Sequence, residues 1–192
     1  MTKDTLLILS GGMDSTTMLH EFKDSIALAV NFSYGANQNA REAECARKQC
    51  ALLGGADAIP EGSYADSNMS ATVVPFRNGI MLAIAAGLAE SRGLKAVMLA
   101  NHGGDHAVYP DCRPAFVEAM NNAIAAGTYA GITLRAPYTG ISKKEIARRG
   151  KALGVDYSLT YSCYKGGAHH CGKCATCIER RQALDAAGID CE

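Results

Sequence analysis

The chain has no excess of either charge, with 19 Lys and Arg residues against 19 Asp and Glu. Proteins that hold nucleic acid electrostatically carry a basic face, and no polybasic run occurs here. The densest basic groups, Arg148-Arg149-Gly150-Lys151 and Arg180-Arg181, suit solvated helix faces, so no direct nucleic-acid partner is expected. A membrane span is missing too. The longest apolar stretch, Ile80 to Ala89, contains Gly87 and falls far short of the roughly 20 residues a bilayer requires. The N-terminus, Met-Thr-Lys-Asp, runs straight into apolar residues without a leader-like segment, so a cytoplasmic protein with no membrane partner is expected. Internal repeats and linkers are absent as well. At 192 residues the chain is most simply one domain, 1–192, able to bury about 70% of its unfolded surface.

Eight cysteines are present, but a disulfide framework is not what they favour, because a chain of this size without a leader belongs in a reducing compartment. Cys45, Cys50, Cys112 and Cys191 are scattered and suit small buried apolar positions. Cys163, Cys171, Cys174 and Cys177 instead form C-x7-C-x2-C-x2-C. Four thiolates so spaced can close around one tetrahedral zinc, with Gly166, Gly167 and Gly172 supplying the turns. An iron–sulfur cluster and a redox pair are the competing chemistries, and His169 or His170 could replace one thiolate. A four-thiolate zinc has no open position for water, so such a site is structural.

The strongest local signal lies near the N-terminus. Leu6-Leu7-Ile8-Leu9 is followed at once by Ser10-Gly11-Gly12-Met13-Asp14-Ser15-Thr16-Thr17. Two glycines let the backbone turn tightly and approach a ligand. The amides from Met13 to Thr16 then lie at the positive end of a helix dipole, an anion site, and the hydroxyls of Ser10, Ser15, Thr16 and Thr17 add donors. The lysine of G-x-x-x-x-G-K-[ST] is missing, which excludes the Walker loop. Capping by Ser10 or Asp14 alone does not account for the whole string. The segment looks like the PP-loop of ATP pyrophosphatases, which hold the β,γ-pyrophosphate while the α-phosphate is attacked. This resemblance implies ATP contacts from Leu9, Ser10, Gly11, Gly12, Met13, Asp14, Ser15 and Thr16, with Asp14 on the metal–pyrophosphate side.

Along the rest of the chain, strand-like runs alternate with amphipathic ones. Strands are expected over Leu6–Leu9, Ile26–Phe32, Ala96–Ala100 and Ile132–Ala136. Helices are expected over Ser15–Glu21, Asn39–Leu53, Arg77–Arg92, Asp111–Ala126 and Ser142–Leu153, the last opened by a Ser142/Glu145 capping box. A polar stretch, Glu61 to Thr72, follows a turn at Gly54-Gly55. This alternation predicts an α/β fold, a Rossmann-type parallel sheet with helices on both faces. Ligands bind such sheets at the carboxyl ends of the strands, where Ser10–Thr17 also falls. Residues 160–192 change character and are expected to form a small C-terminal zinc-bound lobe.

Taken together, these motifs make the chain similar to the 7-cyano-7-deazaguanine synthases, the QueC-type enzymes. The resemblance runs through Ser33-Tyr34-Gly35, Val74-Pro75-Phe76-Arg77-Asn78, Tyr109-Pro110-Asp111-Cys112-Arg113, Ser142-Lys143-Lys144-Glu145-Ile146 and Thr160-Tyr161-Ser162-Cys163-Tyr164. It ends with the cysteine segment, Glu179 and Arg180. It implies ATP-dependent conversion of 7-carboxy-7-deazaguanine and ammonia, through an adenylated acid and an amide, to the nitrile, with Mg2+ accompanying ATP and a homodimeric assembly. Ser10, Asp14 and Lys143 are the implied catalytic group. Substrate contacts fall on Phe76 for stacking, Arg77 for the carboxylate, Asp111 for the guanine-like edge, and Arg113. Two departures stand out. Gly35-Ala36-Asn37-Gln38-Asn39 replaces the family's Gln, basic residue and His after Tyr-Gly, and the chain is short, with the shortfall near residues 55–75. Competing readings are a variant that stops at the amide, a PP-loop enzyme adenylating tRNA, and a nucleotide sensor that does not turn over.

Overall fold

The computed structural model describes residues 2–53, 57–58 and 75–190. Five strands form one parallel sheet: β1 (Thr5–Ile8), β2 (Ile26–Val30), β3 (Asp57–Ala58), β4 (Ala96–Met98) and β5 (Thr133–Arg135), in the order β3-β2-β1-β4-β5. The helices are α1 (Met13–Glu21), α2 (Asn39–Leu53), α3 (Arg77–Ser91), α4 (Pro114–Gly127), α5 (Lys143–Ala152) and α6 (Ala175–Ala186). The expected Rossmann-type α/β architecture is therefore present. Three parts of the sequence reading, the Gly54-Gly55 turn, the Glu61–Thr72 stretch and Cys191, lie outside the described residues, as does Val74.

Strand alternation sorts the core. Leu6 and Ile8 of β1 point to one face with Leu28, Val30 and Val97, where Leu82, Ala85, Ala86 and Ala89 of α3 and Ile124 of α4 cover them. Leu7 and Leu9 point to the other face with Ala29 and Met98, against Met18 and Leu19 of α1, Ala46 and Cys50 of α2, and Ile146 from α5. Both faces are covered, so β2 and β4 are apolar throughout and β1 is apolar after Thr5, as buried parallel strands are. Leu6 pairs with Leu28 on one side and Val97 on the other, making β1 the middle of the sheet. The chain runs from β1 outward to β2 and β3, then crosses to β4 on the opposite side. That reversal opens a crevice between the carboxyl ends of β1 and β4.

Helix boundaries differ from expectation for local reasons. α1 begins at Met13, two residues early, because Gly12 serves as its N-cap. α4 begins at Pro114 and not at Asp111, since proline suits the first helical position and Pro110–Cys112 forms a short 3-10 turn before it. Ser142 does cap α5, its hydroxyl accepting from the Glu145 amide at 3.3 Å. Only half of the capping box forms, because Glu145 turns its carboxylate to Arg148 and Arg149.

Candidate active site

At the end of β1 the Leu9 amide still donates to the Val30 carbonyl, 2.8 Å, and the chain then turns. Gly11 adopts φ +82°, and a Cβ there would collide with the Glu42 carbonyl of α2, so only glycine fits. Ser10 Oγ accepts from the Gly12 amide at 3.2 Å and lies 3.0 Å from Ser15 Oγ. Asp14 Oδ1 and Thr16 Oγ1 are buried and meet no hydrogen-bond partner among the described residues. Orphaned polar atoms are costly, and these two belong to the first turn of α1, directly after the glycines. Thr17 behaves otherwise than its sequence position suggests. It is fully buried and shares its hydroxyl with Tyr157 Oη at 2.7 Å and the Met13 carbonyl at 2.8 Å.

A ring of charge surrounds this turn. Lys143, the first residue of α5, places Nζ 3.3 Å from Asp14 Oδ2 and 2.9 Å from Glu179 Oε2 of α6. Burial works against its ammonium, but Asp14 and Glu179 outweigh that and hold its pKa above the ordinary lysine range. Lys143 is therefore a fixed cation. His102, just past β4, is 1% exposed. Its Nδ1 accepts from the Gly104 amide at 3.1 Å, so a neutral ring carries its proton on Nε2. Nε2 lies 3.5 Å from Asp105 Oδ2 and 3.9 Å from both Asp14 Oδ2 and Glu179 Oε1. Burial raises the Asp105 pKa, with His102 and Lys143 pulling the other way.

A second group lies along the same edge. Arg77, first residue of α3, donates from Nη1 to Tyr34 Oη at 3.1 Å and lies over the Tyr34 ring. Asp111 caps α3 rather than its own helix, accepting from the Asn78 amide at 2.9 Å. Asn78 Nδ2 also donates to the Asp111 carbonyl, and Asn101, beside His102, donates to the Cys112 carbonyl at 2.6 Å, stitching this corner to β4. Phe76 takes the left-handed conformation, φ +56° and ψ +26°, with the residue 58% exposed and its ring edge-on to Phe116. A side chain at Gly79 would strike that ring. A strained backbone that keeps a large aromatic in water is a sign of a ligand platform. Arg113 is exposed and donates to the His106 carbonyl at 2.9 Å, with no hydrogen bond to Phe76, Arg77 or Asp111.

The four cysteine sulfurs, Cys163, Cys171, Cys174 and Cys177, lie within 4.8 Å of one another, a cluster that can hold a metal ion. None of the seven described cysteines is disulfide-bonded. Cys163 Sγ accepts from the Lys165 and Cys171 amides, and Cys171 Sγ from the Cys174 amide, each at 3.4 Å. Burial resists ionisation of Cys174, but bonds from Thr176 and neighbouring amides bring its thiol down to about 6. His170 is not among the cluster. Its Nε2 accepts from the Ser162 amide at 3.1 Å, and burial depresses it to about 4, so it is a neutral structural acceptor.

The cysteine segment is bound to the glycine turn and to α2. The Tyr161 amide donates to the Gly11 carbonyl at 3.0 Å, and Arg41 of α2 donates to the Ala168 carbonyl at 2.9 Å. Arg180, 3% exposed, donates to Thr160 Oγ1 and to the Tyr157 carbonyl, both at 2.6 Å. Its neighbour Glu179 thereby reaches Lys143.

The sequence model of the family described as queuosine biosynthesis protein QueC matches residues 4–54 and 48–188. The chain belongs to the QueC family. A 7-cyano-7-deazaguanine synthase of Porphyromonas gingivalis strain W83 is 53% identical over 209 aligned positions, covering 97% of this chain and 94% of that one. The synthase of Caldicellulosiruptor bescii is 44% identical, covering 96% and 93%. The alignments are longer than the 192 residues of this QueC chain, consistent with its being short. Among solved structures, the NMN synthetase of Francisella tularensis shares the fold, with a TM-score of 0.58 at 11% identity over 99% of this chain and 79% of its own.

In this QueC protein the fold brings Ser10, Asp14 and Lys143 together, and places Phe76, Arg77 and Asp111 at one corner, with Arg113 outside their bonds. Sequence reasoning missed His102 and Asp105, and gave Glu179 and Tyr34 no role. The available signal was topological, since residues just past β4 must emerge beside the end of β1.

Proposed function

We propose that this chain makes 7-cyano-7-deazaguanine, the product in its relatives' name, from 7-carboxy-7-deazaguanine, ammonia and ATP. The observation that carries the reading is the Ser10–Thr16 turn, with its two orphaned polar atoms and fixed lysine, in a chain of this family. The backbone from Leu9 to Met13 and the Ser10, Ser15 and Thr16 hydroxyls cradle the pyrophosphate. A carboxylate oxygen of the substrate attacks the α-phosphate, and pyrophosphate departs toward the helix N-terminus and Lys143, which offset its charge. Asp14 Oδ1, a free hard oxygen, suits Mg2+ bound with ATP; that ion would neutralise charge on the leaving group. Ammonia then displaces AMP to give the amide, whose oxygen attacks a second ATP. Loss of AMP and of the amide's two N–H protons leaves the nitrile.

Phe76 stacks on the deazapurine, the Arg77 fork pairs with the carboxylate, and Asp111 accepts from the guanine-like edge, with Arg113 at the rim. The four cysteines hold Zn2+. Their donor set and N–H···S bonds fit that ion, which would fasten residues 160–192 as a lobe of the single domain and keep Glu179 in place. Self-association suits the exposed apolar faces of α3 (Ala83, Ile84, Gly87) and α4 (Ala115, Ala119, Ala123, Ala126). These point to a homodimer, and no described helix is long and apolar enough to cross a membrane, in keeping with a cytoplasmic enzyme.

The test is mass spectrometry of the product from the carboxylate substrate, ammonium and MgATP, run in parallel with the amide and MgATP alone. Nitrile from both supports the synthase. Amide accumulating from the acid, with no nitrile from the amide, makes the chain an amide-forming variant. No product from either removes the assignment.

A further inference from the structure

Three buried side-chain oxygens meet no hydrogen-bond partner among the described residues: Asp14 Oδ1, Thr16 Oγ1 and Asn31 Oδ1. The first two belong to the turn that holds pyrophosphate in the reading above. Asn31 follows the last residue of β2, and the proposed steps leave it without a role. It is 6% exposed. All three therefore lie where β1 and β2 end, the edge that receives ligands in such sheets. An unpaired buried oxygen is costly, and one ligand bound along this edge gives all three a partner.

The Asn31 amide is fixed in orientation. Its Nδ2 donates to the Leu9 carbonyl at 2.8 Å, while the Leu9 amide donates to the Val30 carbonyl, also at 2.8 Å. Turning the side-chain amide over would set two acceptors against each other, so Oδ1 is the end left over. The following loop satisfies itself without it: the Tyr34 and Ala36 amides both donate to Asn39 Oδ1, at 2.8 and 2.9 Å. Oδ1 is thus an uncharged acceptor tied through Leu9 to the start of the glycine turn. An acceptor repels phosphate oxygens, so its partner on ATP is a donor. ATP has donors only on its ribose hydroxyls and the amino group of its base. Adjacent strands lie about 4.8 Å apart, so Asn31 sits one strand away from the residues that grip the phosphates. The ribose follows the phosphate chain directly, whereas the amino group lies at the far end of the base.

Building on the ATP site of the synthase reading, we propose that Asn31 is a specificity-determining residue that accepts a hydrogen bond from a ribose hydroxyl of ATP. It thereby selects ribonucleotides over deoxyribonucleotides. The Leu9 carbonyl holds the side chain in place through Nδ2, so Oδ1 meets the hydroxyl with little further loss of side-chain freedom. A deoxynucleotide leaves that oxygen buried and unpaired. The penalty falls on binding, before any chemistry.

The experiment measures dissociation constants by calorimetry, with Mg2+ present, for ATP, 2′-deoxy-ATP, 3′-deoxy-ATP and inosine triphosphate. The last has a carbonyl in place of the amino group of the base. In the wild-type chain one of the two deoxy analogues should bind at least about tenfold more weakly than ATP. Asn31→Ala should weaken ATP by a similar factor and bring that analogue and ATP to nearly equal affinity. A merely structural role, exerted through Leu9, would weaken every nucleotide by one factor and keep the wild-type ratio, and that result overturns the proposal. Equal binding of ATP and both deoxy analogues by the wild-type chain overturns it as well, and needs no variant to fold. So does a variant that loses discrimination against inosine triphosphate instead, which gives Oδ1 to the base, or one that only needs more Mg2+, which gives it to the ion. A wild-type chain that binds none of the four nucleotides removes the ATP site itself, a distinct outcome.

Discussion

Asp14 meets the Lys143 ammonium and the His102 ring on one oxygen and no partner among the described residues on the other. This asymmetry makes Asp14→Asn informative. The amide keeps the shape and one contact with Lys143, so folding should change little. Charge where the pyrophosphate and its ion gather is lost, and turnover should fall at least about a hundredfold. Steady-state rates with an unchanged melting temperature are the check. Near-normal turnover would remove the turn from the mechanism. Ser10 and Asp14 were legible as a pair because an S-G-G-x-D-S string after four apolar residues leaves few alternatives. Their partners were not legible. His102 lies 88 positions from Asp14 in the chain, and only the pairing of β1 with β4 brings them together. The start of α4 was placed early for a related reason: Pro114 opens the helix, and the Asp111 carboxylate before it accepts from the Asn78 amide of α3.

At the scale of elements, α6 joins the cysteine cluster to the active site. Cys174 is its N-cap and Cys177 lies in its first turn, followed at once by Glu179 and Arg180. Removing the metal by chelation, or replacing Cys174 by Ser, should unfasten the start of this helix and displace Glu179 from Lys143. Metal-binding free energy is also folding free energy. The melting temperature should fall by roughly 10 °C, the shift expected for about 3–5 kcal/mol in a chain of this size, and activity should fall with it. Elemental analysis of the purified protein should find one zinc per chain. Iron with visible absorbance, or no metal, would refute the assignment. The spacing of the cysteines announced the cluster, because two-residue spacers leave little conformational choice. That the cluster would reach the glycine turn, through Tyr161 and Gly11, was beyond any spacing rule, since it depends on how α6 packs on α5.

For the molecule as a whole, α3 and α4 cover one face of the sheet and turn alanines, Ile84 and Gly87 outward. We propose this face as the homodimer interface, so Ile84→Glu should halve the mass measured by light scattering while leaving the fold intact. An unchanged mass would move the dimer interface elsewhere or remove it. The strand–helix alternation and the apolar strands determined the parallel sheet from sequence alone, because a strand buried on both faces must be apolar throughout. The glycine turn and the four cysteines were likewise determined, since each depends on residues close together in the chain. Tertiary structure decided the rest. The crossing from β3 to β4 chose which loops meet at the end of β1, so it chose His102, Asp105 and the corner around Arg77. The setting that keeps Lys143 charged was also decided there, because desolvation and the distances to Asp14 and Glu179 exist only once the chain has folded.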